Sequence, residues 1–316
     1  MEDLKNLVLL KSSKEELIQK FLEHKKAEGK TPKTIVAYQW ELNKFFDWYS
    51  DSIYNINIEA IDEFLIYLSQ KELDNENRKQ VGLQARRRTR SVLKTFMYFL
   101  IKKKIIPFNA DTNPELIMKL EKPNPRILPN ITELQFLKME KLLKDNPDGL
   151  TLRNMALLAV MFYTGMRPDE IIRMETGWIN KSTLEVIVYD GKGGKDRTTI
   201  INNFTIKIIE RYVKDREGII FLNKDGQPFS NIQPINYLIQ KLKKLDPNIQ
   251  SEITPYSFRR GFACYSYLKS GKDIMAVKKW LGHRDIKTTQ RYLENVEFEN
   301  IYRQKSEINK IRDEID

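Results

Sequence analysis

The sequence predicts a mainly α-helical protein of two domains, the second carrying a small antiparallel sheet. Three observations predict it. At 316 residues the chain exceeds one typical domain. Helical apolar periodicity recurs on both sides of a stretch, 107–129, that holds Pro107, Pro114, Pro123, Pro125 and Pro129. One β-branched, alternating segment, Leu184–Tyr189, is followed after Gly191–Lys195 by a second at Thr198–Ile201, a hairpin pattern.

In order, residues 1–12 read as a loose tail. Ser13 with Glu16 has the capping-box pattern of a helix start, and Leu17, Ile18, Phe21 and Leu22 form an apolar stripe. Thr31-Pro32 opens a second helix with Ile35, Tyr38, Leu42, Phe45, Phe46 and Tyr49 inward. A third follows Asn57, with Ile61, Phe64, Leu65 and Leu68 inward. A fourth carries Val92, Phe96, Phe99 and Leu100, aromatics expected in the core rather than on a surface. Residues 13–106 are thus one four-helix domain. No long regular element survives the proline density of 107–129, so this is the expected linker. In 130–316, helices are expected after Thr132, over Thr151–Tyr163, Phe204–Lys214 and Gln233–Leu245, from Thr254-Pro255, over Asp273–Trp280 and over Ile286–Leu293, with a short strand at Ile219–Leu222. The end, Glu297–Ile311, reads as an amphipathic helix with Phe298, Ile301, Tyr302, Ile308 and Ile311 on its apolar side. It has no evident partner in its own domain, so another subunit is the expected one.

Composition narrows the function classes. Hydrophobic residues make up 41% and charged residues 31%, which fits a folded chain. No segment offers the roughly 20 apolar residues a membrane helix needs, and the first residues lack a secretory pattern. The single cysteine, Cys264, excludes an internal disulfide framework, is expected as a small buried residue and fits the cytoplasm. Only His24 and His283 are histidines, so no His/Cys metal cluster is expected. Net charge is +11. Arg78–Lys104 holds ten Lys/Arg and no acid, with Arg86, Arg87, Arg88 and Arg90 nearly consecutive and Lys94 one turn on. That density within a folded segment points to nucleic acid, contacted through these five side chains, over an anionic membrane.

The stretch Ile253–Tyr292 concentrates the chemistry. Cleaving a phosphodiester without metal requires an oxygen nucleophile, cations for the non-bridging oxygens and an acid for the leaving oxygen. Arg259, His283 and Tyr292 lie in this stretch, and Arg167 follows a buried helix far upstream. Arginine suits the cationic task because its fork contacts two phosphate oxygens and keeps its charge. Gly191–Lys195 (GKGGK) lacks the phosphate-loop spacing and sits between strands, so it is not a nucleotide loop.

Four boxes together resemble the tyrosine recombinase/phage integrase family: MFYTGMRPDEIIR, GKGGKDRTTII, TPYSFRRGFA and LGHRDIKTTQRYLE. They stand in the family's order, with 25 residues from Arg167 to Lys192, 24 from Arg259 to His283 and nine from His283 to Tyr292. The first domain, with KTPKTIVAYQWELNKFFDW, resembles the family's SAM-like core-binding domain.

The resemblance implies that Tyr292 attacks the scissile phosphate to give a 3′-phosphotyrosyl bond. It implies that Arg167 and Arg259 bracket the phosphate, Lys192 protonates the 5′-oxygen, His283 hydrogen-bonds a non-bridging oxygen or Tyr292, and Glu170 orients Arg167. Lys195 and Arg197 are then solvated or touch DNA backbone. No cofactor or metal is implied. The implied partners are double-stranded DNA recombination sites and further copies of the chain, monomeric when free and tetrameric on synapsed DNA, with room for an accessory DNA-bending factor. Integration or excision of a mobile element is the leading role, and an Xer-like resolvase the alternative. A type IB-like topoisomerase and a catalytically silent DNA-binding protein are further readings. One box departs from the pattern. Tyr256 stands where the family usually has histidine, and Arg260 stands at a second histidine position. A phenol, with a reference pKa of about 10, donates a hydrogen bond but is a poor base.

Overall fold

The computed structural model describes residues 13–70, 83–121, 129–189 and 196–294, with 308, 309, 311 and 312. The expected tail, the hairpin turn with Lys192 and most of Glu297–Ile311 lie outside them. The chain divides into two compact units after Pro125.

The first unit is built on α1 (Lys14–Ala27), α2 (Pro32–Phe46), α3 (Ile58–Gln70) and α4 (Leu83–Lys102). Local chemistry sets the starts. Ser13 Oγ accepts from Glu16 N–H at 3.2 Å, Thr31 Oγ1 from Thr34 N–H at 3.3 Å, and Asn57 Oδ1 from Ala60 N–H at 2.9 Å. Each such cap contributes about 1 kcal/mol. The stripes converge on Phe21, Phe45, Phe64 and Phe96, all fully buried. Phe21 meets Phe96 edge-on at 5.1 Å, and Phe45 meets Phe64 edge-on at 5.2 Å. Phe96 and Phe99 of α4 are core, as their spacing predicts, while Tyr98 on the same helix is exposed.

The Pro-rich stretch behaves differently from a bare connection. Ile117 is buried in this same core, together with Ile105 and Ile106 just ahead of the stretch. Arg90 donates to the carbonyls of Met118 (2.6 Å) and Ile117 (2.8 Å), and Met118 N–H donates to Asp62 at 2.8 Å. Residues 107–121 therefore strap the first unit, because their backbone polar groups find fixed partners there.

The second unit surrounds α6 (Thr151–Thr164), buried continuously from Asn154 to Thr164. A helix apolar on all sides must sit at a centre. Against it pack α5 (Glu133–Asp145), α8 (Asn203–Val213) and α10 (Pro255–Lys269), while α7 (Pro168–Ile171) follows it directly. Phe136 stacks on Phe162 at 4.9 Å. Truncating either ring to alanine would cost about 3–5 kcal/mol. The remaining helices are α9 (Gln233–Leu245), α11 (Ile274–Leu281) and α12 (Ile286–Leu293). The sheet runs β1 (Ile179–Asn180), β2 (Glu185–Val188) and β3 (Arg197–Ile200), antiparallel, with Val188 opposite Arg197.

Two expectations change. Ile219–Leu222 forms only single bridges, Glu175 to Ile219 and Leu222 to Pro228. The Arg216 guanidinium takes the carbonyls of Ile219 and Ile220. The chain end does have a partner in its own unit: Ile308 and Ile311 pack on the core around α6, and Arg312 pairs with Glu133.

Candidate active site

The site is assembled on two helix ends. At the end of α6, Gly165 has φ +59, and a Cβ there would lie 2.1 Å from the Phe262 ring. Only glycine fits this turn. Thr164 C=O accepts from Thr199 Oγ1–H at 2.8 Å, which fastens β3 to the same end. Arg167 is the N-cap of α7, with Pro168 at its first position. Three residues on, Glu170 reaches back to Arg167 N–H at 2.6 Å and accepts from Arg167 Nη1 at 2.8 Å. The sequence-predicted orienting role of Glu170 has this geometry.

The second end is that of α11. Its last carbonyls have no partner within the helix and carry the negative pole of its dipole. Three arginines from three other elements take them. Trp280 C=O accepts from Arg197 Nε at 3.2 Å, Gly282 C=O from Arg167 Nη2 at 3.4 Å, and Leu281 C=O from Arg259 Nη2. Arg259, one turn into α10, also donates to Gly165 C=O, so it joins both helix ends. It is 1% exposed. Burial and the charge of Arg167 lower its pKa to about 10, opposed by Glu170 and Tyr292, and it stays cationic at neutral pH.

Glu170 is 2% exposed. Burial alone would raise its carboxyl. Hydrogen bonds and charge from Arg197, then the backbone and guanidinium of Arg167, outweigh that and hold it at about 2. His283 follows Gly282, which has φ +65. Its Nδ1 lies 3.0 Å from Thr289 Oγ1, and its ring stands edge-on to Tyr292 at 5.1 Å between centroids. Burial, then the charges of Arg259, Arg167 and Arg197, push the imidazole down to about 3, so it is neutral near pH 7. Tyr292, on α12, packs beside Phe262, Ala263, Val277 and Leu281. Cys264, buried as expected, donates its thiol hydrogen to Tyr292 C=O at 3.3 Å.

Arg167, Glu170, Arg259, His283 and Tyr292 therefore gather around one helix end. Tyr256 sits in the first turn of α10 and is 43% exposed. Arg260 is buried and turned to Pro129 C=O (2.6 Å) and Ser257 Oγ (2.9 Å), a structural anchor in place of a site histidine. Lys192 and Lys195 lie outside the described residues.

Arg197 corrects an expectation. It is neither solvated nor free for DNA: its Nη atoms donate to the two oxygens of Glu170 at 2.7 and 2.6 Å. Strand parity carried the signal, since Arg197 and the fully buried Thr199 share a face of β3. Thr289, which fixes the His283 ring, was also missed.

The basic run is only partly available. Arg90 is engaged on Met118 and Ile117, and Lys94 pairs with Glu115 at 2.6 Å. Arg88 lies 3.4 Å from buried Glu41. Arg86 and Arg87 are half-buried. Among the described residues no group of three or more His, Cys, Asp or Glu is placed to hold a metal ion, and no helix is long and apolar enough to cross a membrane.

The family model described as "Phage integrase family" matches residues 130–298, more than half of the chain. The chain belongs to the phage integrase family. The family's N-terminal SAM-like domain matches residues 18–104. Among relatives, tyrosine recombinase XerD of Halalkalibacterium halodurans is 29% identical over 293 residues, covering 87% of this chain and 91% of that protein. XerD of Staphylococcus aureus is 30% identical over 292 residues, covering 88% and 93%. Among solved structures, the Tn1549 transposon integrase in complex with circular intermediate DNA superposes with a TM-score of 0.69 at 16% identity, covering 92% of this chain and 97% of that one. A lambda integrase dimer bound to a core site gives 0.68 at 15% identity, covering 90% and 78%. The two-domain, mainly helical architecture with a small antiparallel sheet is thus the family's own. By class this integrase-family protein is a tyrosine recombinase, a site-specific DNA strand transferase.

Proposed function

We propose that Tyr292 cuts and rejoins one DNA strand at a recombination site, with Arg167 and Arg259 holding the scissile phosphate. One observation carries this reading: both arginines are locked onto the end of α11, which leads directly into His283 beside Tyr292. Tyr292 Oη forms the bond to phosphorus as the bond to the 5′-oxygen breaks. Lys192 gives that oxygen its proton. The phenolic proton leaves to water, because a buried imidazole held down to about 3 is a poor base in the DNA-free protein. His283 acts instead as a donor: with Thr289 Oγ1–H donating to Nδ1, Nε2–H is left to meet a non-bridging oxygen. Tyr256, exposed on the first turn of α10, adds a hydroxyl donor. Preorganised donors of this kind each contribute about 100- to 1000-fold to rate.

Arg86, Arg87 and Arg88 contact the DNA backbone, in line with the DNA-bound state of the related integrase structures. Synapsis of two sites brings four copies of the chain together. For the biological role, the altered second-arginine box and the transposon integrase neighbour support integration or excision of a mobile element in the cytoplasm. The XerD relatives, similar over nearly their whole length, support an Xer-like role as the second reading.

The test is capture. The protein is incubated with fragmented DNA of its host, and strands that become covalently attached to protein are sequenced. Ends that map to the borders of one mobile element support the leading role. A single site without such borders supports the Xer-like role. No attached DNA that depends on Tyr292 would remove the enzyme reading and leave a DNA-binding protein.

A further inference from the structure

Arg197 comes from a box that the recombination chemistry accounts for only through its lysine. Its surroundings are specific. Each oxygen of Glu170 takes two donors: Oε1 accepts from Arg167 Nη1 (2.8 Å) and Arg197 Nη1 (2.7 Å), and Oε2 from Arg167 N–H (2.6 Å) and Arg197 Nη2 (2.6 Å). The carboxylate is saturated, since its two oxygens offer about four lone-pair sites. The third edge of Arg197, Nε, is spent on Trp280 C=O at 3.2 Å. A Cβ on Gly282 would lie 2.4 Å from Arg197 Cδ, so the backbone at the end of α11 is fitted around this side chain.

We propose that Arg197 is a positioning residue for the phosphate clamp, setting Arg167 through Glu170 and tying strand β3 to the end of α11. The proposal rests on the reading of Arg167 as a phosphate ligand. Its physical content is charge as well as geometry. A lone Glu170–Arg167 pair would be neutral, and the cation meant for the phosphate would be cancelled by its own support. With Arg197 on the same carboxylate, Arg167, Arg197, Arg259 and Glu170 together keep two net positive charges. Arg167 can then be held rigidly and still present its charge to a phosphate. Arginine is required because only a planar fork spans both carboxylate oxygens while its Nε reaches a carbonyl. Since Arg197 is opposite Val188 at the mouth of the hairpin, the same contact fixes the base of the segment that continues to Lys192.

The full-length protein is compared with R197Q and R197K on a nicked suicide substrate built from a captured site, reading the single-turnover rate of adduct formation, DNA affinity and thermal midpoint. R197Q is expected to lose about 10- to 100-fold in rate, the scale of a misplaced catalytic group, with DNA affinity and its salt dependence unchanged. R197K is expected to recover only part of the loss. The Glu170 carboxyl is followed independently by carbon NMR of labelled protein. The charges facing it are Arg167 on its own turn, Arg197 on β3, and Arg259 and neutral His283 beyond. In R197Q its titration should move up from about 2 toward the ordinary carboxylate range, giving the variant's rate an acid limb that wild type lacks.

Weaker DNA binding with a flatter salt dependence and an unchanged rate would overturn the proposal in favour of a DNA contact. A lowered thermal midpoint with an unmoved Glu170 titration would overturn it in favour of a purely structural role. The NMR arm needs no turnover. A shifted titration alongside a wild type that forms no adduct would therefore uphold the positioning and sink the recombinase reading alone.

Discussion

Two buried carboxylates, one in each unit, sit among cations, and the contrast between them sorts the basic residues around them. Glu41 in the first unit and Glu170 in the second are both 2% exposed. Glu170 is gripped by two guanidiniums at 2.6–2.8 Å. Glu41 has one tight bond, from Thr89 Oγ1–H at 2.8 Å, joining α2 to α4. Its cations are distant: Arg88 Nε at 3.4 Å and Lys44 Nζ at 3.7 Å. Arg88 is 55% exposed, whereas the Arg197 side chain is 10% exposed. A cation whose fork is closed at short range on both oxygens of a carboxylate, as that of Arg197 is, is part of the fold's frame. A cation leaning loosely on a buried acid keeps most of its donors for a partner. Net charge of +11 therefore overstates the surface available to DNA.

Substitution at the two acids should show the difference most strongly. Glu170→Gln turns a buried, fully paired carboxylate into an amide facing two half-buried guanidiniums, and unfolding by denaturant should register a loss of about 3–5 kcal/mol. Glu41→Gln keeps an acceptor for Thr89 and should lose only about 1 kcal/mol. An equal loss would dissolve the contrast. Acid should erase the Glu170 effect. Its folded pKa of about 2 lies below the ordinary 4.5, so its contribution is complete above the unfolded value and drains as pH falls from about 4.5 toward 2. Stability curves of wild type and Glu170→Gln should converge over that window.

The histidine gives a pH prediction of the same sign that begins at higher pH. His283 is pushed from 6.5 down to about 3, so acidification between those values favours the unfolded state, which binds the proton first. His283→Gln should soften the loss of stability over that range. The rate of cleavage should show no limb near pH 6.5 that disappears in the variant.

A smaller effect separates two neighbours in the basic run. Arg88→Gln should weaken DNA binding and reduce the salt slope by about 0.9. Replacing Arg86, Arg87 and Arg88 together should flatten it further. Arg90→Gln should leave the slope alone and lower stability by about 1–3 kcal/mol, because it abandons the carbonyls of Met118 and Ile117. If both arginines change the slope equally, short-range engagement is not what removes a cation from the DNA surface.

What was legible in the sequence was local. Each of the four boxes is one contiguous run, and the caps at Ser13 and Thr31 and the Glu170 support three residues from Arg167 are written within a single helical turn. What was misread depends on partners distant in the chain. Arg197 meets Glu170 across 27 residues, and the chain end, expected on another subunit, meets its own unit, where Arg312 pairs with Glu133 across 179. A basic residue looks alike in sequence whether its partner is a phosphate, a carboxylate or a carbonyl. The Pro-rich stretch was misread for a related reason. Proline density excludes a helix, but the buried Ile117 and the hydrogen bonds around it decide whether the segment hangs free or straps a core.

The central claim is that Tyr292 becomes covalently joined to DNA. Protein trapped on DNA is digested with protease and nuclease, and the residual nucleotide is located by mass spectrometry. The account predicts a 3′-linked nucleotide on the peptide containing Tyr292 and no trapped species from Tyr292→Phe. A nucleotide on any other residue, or trapping that survives Tyr292→Phe, would contradict it.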